Sequence, residues 1–206
     1  MFLKINSQNP EPEKIDEAVE VLKAGGIIVY PTDTIYGLGC DIFNKKAVAR
    51  IYQLKKREKK KPMSIICSDF KEIAQYALLP DFAFQIMKKA LPGPYTFILK
   101  AKNKTPKTVI SKNKTVGIRL PANKICLALA EKLGNPIITT SLNISNQKVL
   151  TNPQQLPKEM LNKIDLLIEA GSLGTEPSSV IDLSGSYPAI LRKGVGNITI
   201  FSKFYA

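Results

Sequence analysis

The chain has 206 residues, 44% hydrophobic and 23% charged, the balance of a globular protein long enough to build a real core. No stretch approaches the roughly 18 uninterrupted apolar residues of a membrane span, and the absence of histidine excludes Ser-His-Asp and Cys-His catalysis, histidine metal sites and a histidine general base. Thirty Lys and Arg against 17 Asp and Glu leave a net charge of +13, which favours polyanionic partners such as nucleic acid or phosphorylated small molecules.

Met1-Phe2-Leu3-Lys4 runs straight into polar sequence, without the apolar segment and cleavage site of a secretory signal, so residence in the cytoplasm is expected. Ile15, Ala18, Val19 and Leu22 recur at helical spacing between Glu13 and Ala24, and Gly25-Gly26 stops that helix. A buried strand over 27–30 follows, broken by Pro31. A second helix is expected from Lys45 to Lys55, with Asn44 as N-cap and Ala47, Val48, Ile51 and Tyr52 on one face. Its last turn opens the run Lys55-Lys56-Arg57-Glu58-Lys59-Lys60-Lys61. Cations there suit the helix macrodipole, and a run pinned between two core-forming elements holds its charges over a fixed surface.

A strand over 63–67, a helix opened by Asp69 with Glu72 three residues on, and a helix over 82–90 come next. Leu91-Pro92-Gly93-Pro94 turns the chain into a strand over 95–99, the Lys-rich stretch 100–114 reads as an exposed loop, and 115–120 is a strand. A helix over 123–133 with Gly134 beyond its end, a strand over 136–140, and a helix opened by Asn152-Pro153 continue the pattern. Strands over 165–169, 179–183, 189–192 and 198–201 close it. Strands that sometimes alternate with helices and sometimes follow one another imply an α+β, three-layer arrangement with a mixed sheet. The length suits a single domain over 1–206. Cys40, Cys67 and Cys126 are odd in number and widely spaced, so reduced thiols are expected rather than disulfides or a zinc site.

Two strand exits carry chemistry. Pro31-Thr32-Asp33-Thr34-Ile35-Tyr36-Gly37-Leu38-Gly39 packs hydroxyls, a carboxylate and two glycines into nine residues, and Thr139-Thr140-Ser141-Leu142-Asn143-Ile144-Ser145-Asn146 presents hydroxyl and amide groups suited to phosphate or ribose oxygens. Either cluster also reads as a hydroxyl-rich turn capping its own backbone. Neither is a Walker A loop or a Gly-x-Gly-x-x-Gly loop. Only four arginines occur among the thirty cations, at 50, 57, 119 and 192, and arginine is the residue for rigid bidentate contacts to carboxylate and phosphate.

Taken in order, the Pro-Thr-Asp-Thr loop, Lys55-x-Arg57, Leu91-Pro92-Gly93-Pro94, Gly117-Ile118-Arg119, Ser141-x-Asn143 and Ser178-Ser179-Val180-Ile181-Asp182 with Leu191-Arg192 resemble the YrdC-like family, the threonylcarbamoyl-AMP synthases of tRNA modification, over about residues 12 to 200. The Leu91-to-Leu99 run and the Pro177-to-Leu183 segment are similar to its YciO branch. The chain departs from the synthase pattern at Ile66, where many members have His, and at Val149, where many have Ser.

The resemblance implies a twisted mixed sheet flanked by helices around a concave basic cavity, without the C-terminal domain of longer members. It implies formation of threonylcarbamoyl-adenylate and pyrophosphate from L-threonine, bicarbonate and ATP, with the activated group passed on to tRNA by partner proteins. By position it assigns Thr34, Arg119, Thr139 and Ser178 to threonine, and Lys55, Arg57, Lys61, Thr115, Ser141, Asn143 and Arg192 to the nucleotide and its phosphates. Lys55, Arg57, Ser141 and Asn143 are the expected catalytic set. Mg2+ is expected to enter with ATP, and no protein metal site is expected. The alternative is a YciO-like protein that binds double-stranded RNA or tRNA on the same basic face without catalysis. Arg50 is expected on a helix surface.

Overall fold

The computed structural model describes residues 1–58, 61–142 and 151–204. Among the described residues, ten strands form one sheet: β1 (Phe2–Lys4), β2 (Ile28–Tyr30), β3 (Gly37–Gly39), β4 (Ser64–Ile66), β5 (Tyr95–Lys100), β6 (Thr115–Arg119), β7 (Ile137–Ser141), β8 (Leu166–Glu169), β9 (Ser179–Asp182) and β10 (Ala189–Arg192). Their spatial order is β1-β8-β2-β3-β7-β4-β6-β5-β9-β10. The pairs β1/β8, β2/β8, β4/β6 and β5/β9 are parallel and the others antiparallel, so the sheet is mixed, as expected.

Alternation along the strands sends neighbouring side chains to opposite faces. Val29, Leu38, Ile65, Phe97, Ile118, Ile138 and Ile181 enter a first core together with α2 (Lys45–Leu54), α3 (Phe70–Tyr76) and α4 (Asp81–Ala90). Ile28, Tyr30, Ile66, Ile137, Leu166 and Ile168 enter a second core beneath α1 (Pro12–Lys23) and α5 (Lys124–Leu133). Helices on both faces make the three layers. Among the described residues, the second core takes nothing from β5, β6, β9 or β10, so α1 and α5 cover only part of their face.

Local chemistry sets the ends of these helices. The Asn44 Oδ1 accepts from the Ala47 N–H at 2.9 Å, the Asp69 Oδ1 from Glu72 N–H at 2.6 Å and the Asn123 Oδ1 from Cys126 N–H at 3.0 Å, each satisfying an otherwise unpaired amide of a first turn. α5 closes on Gly134 in the left-handed region, φ 72°. α2 does the same without a glycine: Lys56 adopts φ 48° while Arg57 N–H returns to the Tyr52 carbonyl at 3.0 Å. The two charges at that end are thus fixed by the turn, and Lys55 is the cap rather than part of the last turn.

Several elements differ from expectation. The strands β1 and β3 lie in segments that lack a run of alternating apolar residues. The expected strand over 198–201 is a 3₁₀ helix, Ile198–Phe204, begun by the Asn197 Oδ1 accepting from Thr199 N–H at 2.9 Å. Ile198 and Phe201, three residues apart, thereby reach the same core, which an extended chain would not allow. Asn152 caps only a single 3₁₀ turn, Pro153–Gln155, and Pro157 precedes the short helix α6 (Lys158–Leu161). Arg50 does more than decorate a surface: it bridges to the Asp165 carboxylate at 3.0 Å and the Lys163 carbonyl at 3.1 Å, tying α2 to the entry of β8. Among the described residues, no helix is long and apolar enough to cross a membrane. Cys40, Cys67 and Cys126 are buried free thiols.

Gly39 is where β3 and β7 approach most tightly, since a Cβ there would lie 2.1 Å from the Ile138 carbonyl oxygen. Gly39→Ala is therefore expected to cost about 1–3 kcal/mol of stability by overpacking. Urea unfolding of the variant checks this.

Candidate active site

Ser64, Thr96, Gly117, Arg119 and Thr139 occupy strand positions that alternate with first-core residues, so they face the side that α1 and α5 cover only in part. There Ser64, Thr96, Arg119 and Thr139 line a cavity of about 320 Å³ with Tyr36, Arg57, Ser141, Ser178 and Arg192, while Gly117 leaves room for the Ser64 side chain. The size and the mixture of hydroxyls and arginines suit a small polar ligand.

One wall is built by the loop after β2. The Thr32 hydroxyl donates to the Ile35 carbonyl at 2.6 Å and accepts from the Thr34 N–H at 3.1 Å, folding the loop onto itself. Cys126 on α5 donates its thiol to the Pro31 carbonyl at 3.0 Å. Asp33 then meets Arg119 at the end of β6, with Nη2 2.6 Å from Oδ1, and the same nitrogen donates to the Thr34 hydroxyl at 3.2 Å. The Arg119 and Asp33 side chains are only 8% and 6% exposed. The buried Arg119 Nε–H has no hydrogen-bond partner.

The opposite wall comes from β5, β9 and β10. Thr96 and Ser178 hydroxyls lie 2.8 Å apart, and Arg192 donates from Nε and Nη2 to the Ser178 carbonyl at 3.1 and 2.8 Å. Arg192 is exposed on its edge strand, yet its guanidinium turns in at the cavity mouth. Partial desolvation, and then the charge of Arg119, lower its pKa. The two arginines therefore repel one another across the cavity.

The third side is the end of α2. Lys55 is 1% exposed and donates its Nζ to the Ser141 carbonyl, with the Ser141 hydroxyl at 3.5 Å. Burial pushes its ammonium down to about 7, and the neighbouring Arg57 charge acts in the same direction. Arg57 is held by its Nε to the Lys61 carbonyl at 2.8 Å and its Nη2 to the Pro62 carbonyl at 3.1 Å. Two pairs of like charges around one partly desolvated cavity store a cost that an anion relieves.

Of the residues expected at the site, Arg57, Arg119, Thr139, Ser141, Ser178 and Arg192 line the cavity, while Lys55 and Thr34 join it through Ser141 and Arg119. Lys61 is exposed and faces Glu58 at 3.7 Å, with only its carbonyl turned to Arg57. Thr115 begins β6, whereas Arg119 ends it, and its hydroxyl pairs with Ser111 at 2.7 Å. Asn143 and Val149 lie outside the described residues. Ile66, opposite Arg119 in the sheet register, is in the second core and does not line the cavity. Asp33, Ser64, Tyr36 and Thr96 were not among the expected site residues. Thr96 had a signal: it is the polar position within Tyr95-Thr96-Phe97, so alternation turns it away from the core its neighbours fill.

Among the described residues, no three acidic or Cys side chains gather where a metal ion could be held. The carboxylate at the cavity, Asp33, already accepts from Arg119 and from the Ala122 N–H at 3.0 Å. This donor set does not fit a resident divalent cation.

Comparison with known proteins places the chain. The Sua5/YciO/YrdC family profile, described as telomere recombination, matches residues 20–194. YciO of Escherichia coli is 38% identical over 202 residues, 97% of this chain and 98% of YciO, and its crystal structure matches with a TM-score of 0.92 over 98% of each chain. A threonylcarbamoyl-AMP synthase of Coxiella burnetii is 34% identical over 163 residues, 79% of this chain and 87% of the relative. The crystal structure of Pyrococcus abyssi Sua5 complexed with L-threonine matches at 30% identity and a TM-score of 0.92, covering 100% of this chain and 61% of Sua5.

The buried Lys55 makes stability depend on pH. An unfolded lysine keeps its proton to about pH 10.4, whereas the folded one loses it near 7. The unfolded chain therefore binds the extra proton between those values, and stability rises with pH across that window. Lys55→Met is expected to gain stability relative to the parent most below pH 7, with the gain shrinking toward pH 10. Urea unfolding of both proteins at pH 6, 8 and 9.5 measures this; a gain independent of pH would contradict it.

Proposed function

From the chain's membership of the Sua5/YciO/YrdC family, we propose that it is an L-threonylcarbamoyladenylate synthase, acting in threonylcarbamoyladenosine modification of tRNA. Its substrates are then L-threonine, bicarbonate and ATP, and its products threonylcarbamoyl-AMP and pyrophosphate. The observation that carries this reading is the cavity between two cationic walls, Arg119 beside Thr34 on one side and Arg57 with Lys55 on another, with hydroxyls of Thr139, Ser141 and Ser178 between them. One carboxylate and one polyphosphate can be held there side by side.

In this reading the threonine amine and bicarbonate give a carbamate and water. A carbamate oxygen attacks the α-phosphorus of ATP, the bond from that phosphorus to the bridging oxygen breaks, and pyrophosphate leaves. Negative charge grows on phosphate oxygens during that step, so fixed cations and aligned donors are the groups it needs. Arg57, Lys55 and Arg192 supply the charge, and no histidine is required. Magnesium enters this scheme only as part of the MgATP substrate. Proteins that transfer the threonylcarbamoyl group to tRNA are the partners the reading implies.

The exposed lysines at 102, 104, 107, 112 and 114 support a second reading, a double-stranded RNA or tRNA surface without catalysis. Such binding weakens steeply with salt, because phosphate contacts release counterions, and threonine-dependent turnover is not expected to track that loss.

The test is pyrophosphate release from ATP with and without L-threonine and bicarbonate. Release that requires both is expected, and release indifferent to either refutes the synthase. Arg57→Ala, which removes a charge-assisted contact worth about 1.5–3 kcal/mol, is expected to lower kcat/KM by about 10- to 100-fold with the fold intact. Unchanged turnover would remove Arg57 from the site.

A further inference from the structure

Asp33 is a buried carboxylate whose two oxygens are committed in different directions. Oδ1 accepts from Arg119 Nη2 at 2.6 Å, and Oδ2 accepts from the Ala122 N–H at 3.0 Å. It thereby ties the loop after β2 to a distant stretch of chain, the end of β6 and the turn that follows it into α5. Among the described residues, the hydrogen bonds that hold the Arg119 guanidinium come from Asp33 and Thr34, both through Nη2, and Nε has none. Arg119 and Arg192 line the same cavity, and the charge of one acts on the other. Repulsion from Arg192 favours any rotamer that takes Arg119 away, so something must hold it.

We propose that Asp33 is a positioning residue that holds Arg119 in the cavity in the orientation that meets the carboxylate of the amino-acid substrate. This rests on the synthase reading for the identity of the substrate, but the restraint on Arg119 does not. Asparagine at this position has a single acceptor oxygen and no charge. It can serve Ala122 or Arg119 but not both, and its amide N–H groups would face the guanidinium donors. The role differs from that of Thr34, whose hydroxyl carries no charge to oppose Arg192.

Two readouts test it. The protein has four arginines, so its Arg Nε–Hε signals can be assigned one by one in a ¹⁵N spectrum, that of Arg119 by its loss in Arg119→Lys. In the unmodified protein this signal is expected to be as rigid as the backbone, with an order parameter of about 0.85; a mobile Arg119 signal overturns the proposal without any variant at position 33. In Asp33→Asn the signal is expected to shift and broaden while the backbone amide spectrum is retained. The KM for L-threonine is expected to rise about tenfold or more, with the KM for ATP changed less than about twofold. An unchanged Arg119 signal in folded Asp33→Asn, or equal rises in both KM values, overturns the proposal, the latter marking a purely structural residue. If the unmodified protein shows no threonine-dependent turnover, the synthase reading fails, and the Arg119 signal still decides whether Asp33 holds it.

Discussion

The sheet has two faces to cover, and among the described residues α2, α3, α4 and the short α6 pack on one while α1 and α5 pack on the other. α1 and α5 pack on the strands around β8, β2 and β7, and the second core ends at Ile66 of β4. A sheet face left open to water cannot carry the large apolar side chains that fill the first core. The outward positions of β4, β5, β6 and β7 accordingly hold Ser64, Thr96, Gly117, Arg119 and Thr139. The cavity is thus a consequence of unequal coverage: the strands are held rigid from behind by α2, α3 and α4, while their front presents hydroxyls and a guanidinium at fixed positions.

Rigidity from behind also explains how the site tolerates its charges. Buried or partly buried cations are costly unless paired or hydrogen-bonded. Arg119 meets Asp33, Arg192 meets the Ser178 carbonyl, Arg57 meets the carbonyls of Lys61 and Pro62, and Lys55 meets Ser141. Of these four cations only Arg119 is matched by a carboxylate among the described residues; the others are held by neutral oxygens, which orient a charge without cancelling it. A site of this kind is pre-organised to be completed by an anion. The left-handed turn at Lys56 serves the same end, because it reverses the chain immediately after α2, with Lys55 on Ser141 at the end of β7 and Arg57 on the carbonyls of Lys61 and Pro62.

Much of this was legible in the sequence, and the rest was hidden for definable reasons. Helical periodicity in α1, α2 and α5, with Asn44, Asn123 and Gly134 at their ends, states those elements outright. The four arginines among thirty cations point to the cavity, since three of them line it. β3 could not be read, because Gly-Leu-Gly has no strand signature and is extended only by pairing with β2 and β7. The terminal 3₁₀ helix looked like a strand because Ile-Thr-Ile-Phe has β-branched residues in alternation, and packing of Phe201 into the first core overrode that local preference. The length of β6 separates Thr115 from Arg119, and Lys61 meets the site only through its carbonyl on Arg57 while its ammonium turns to solvent. Asp33 went unassigned because its partner is 86 residues away, a distance no local pattern bridges.

The proposed function requires one cavity to hold a carboxylate at the Arg119 wall and a polyphosphate at the Arg57 wall together. A crystal structure of the protein with L-threonine and a non-hydrolysable ATP analogue tests it most directly. The threonine carboxylate is expected within about 3 Å of Arg119 or Thr34 and phosphate oxygens at similar distances from Arg57 and Arg192. Both ligands competing for one wall, or either bound outside the cavity, would contradict it.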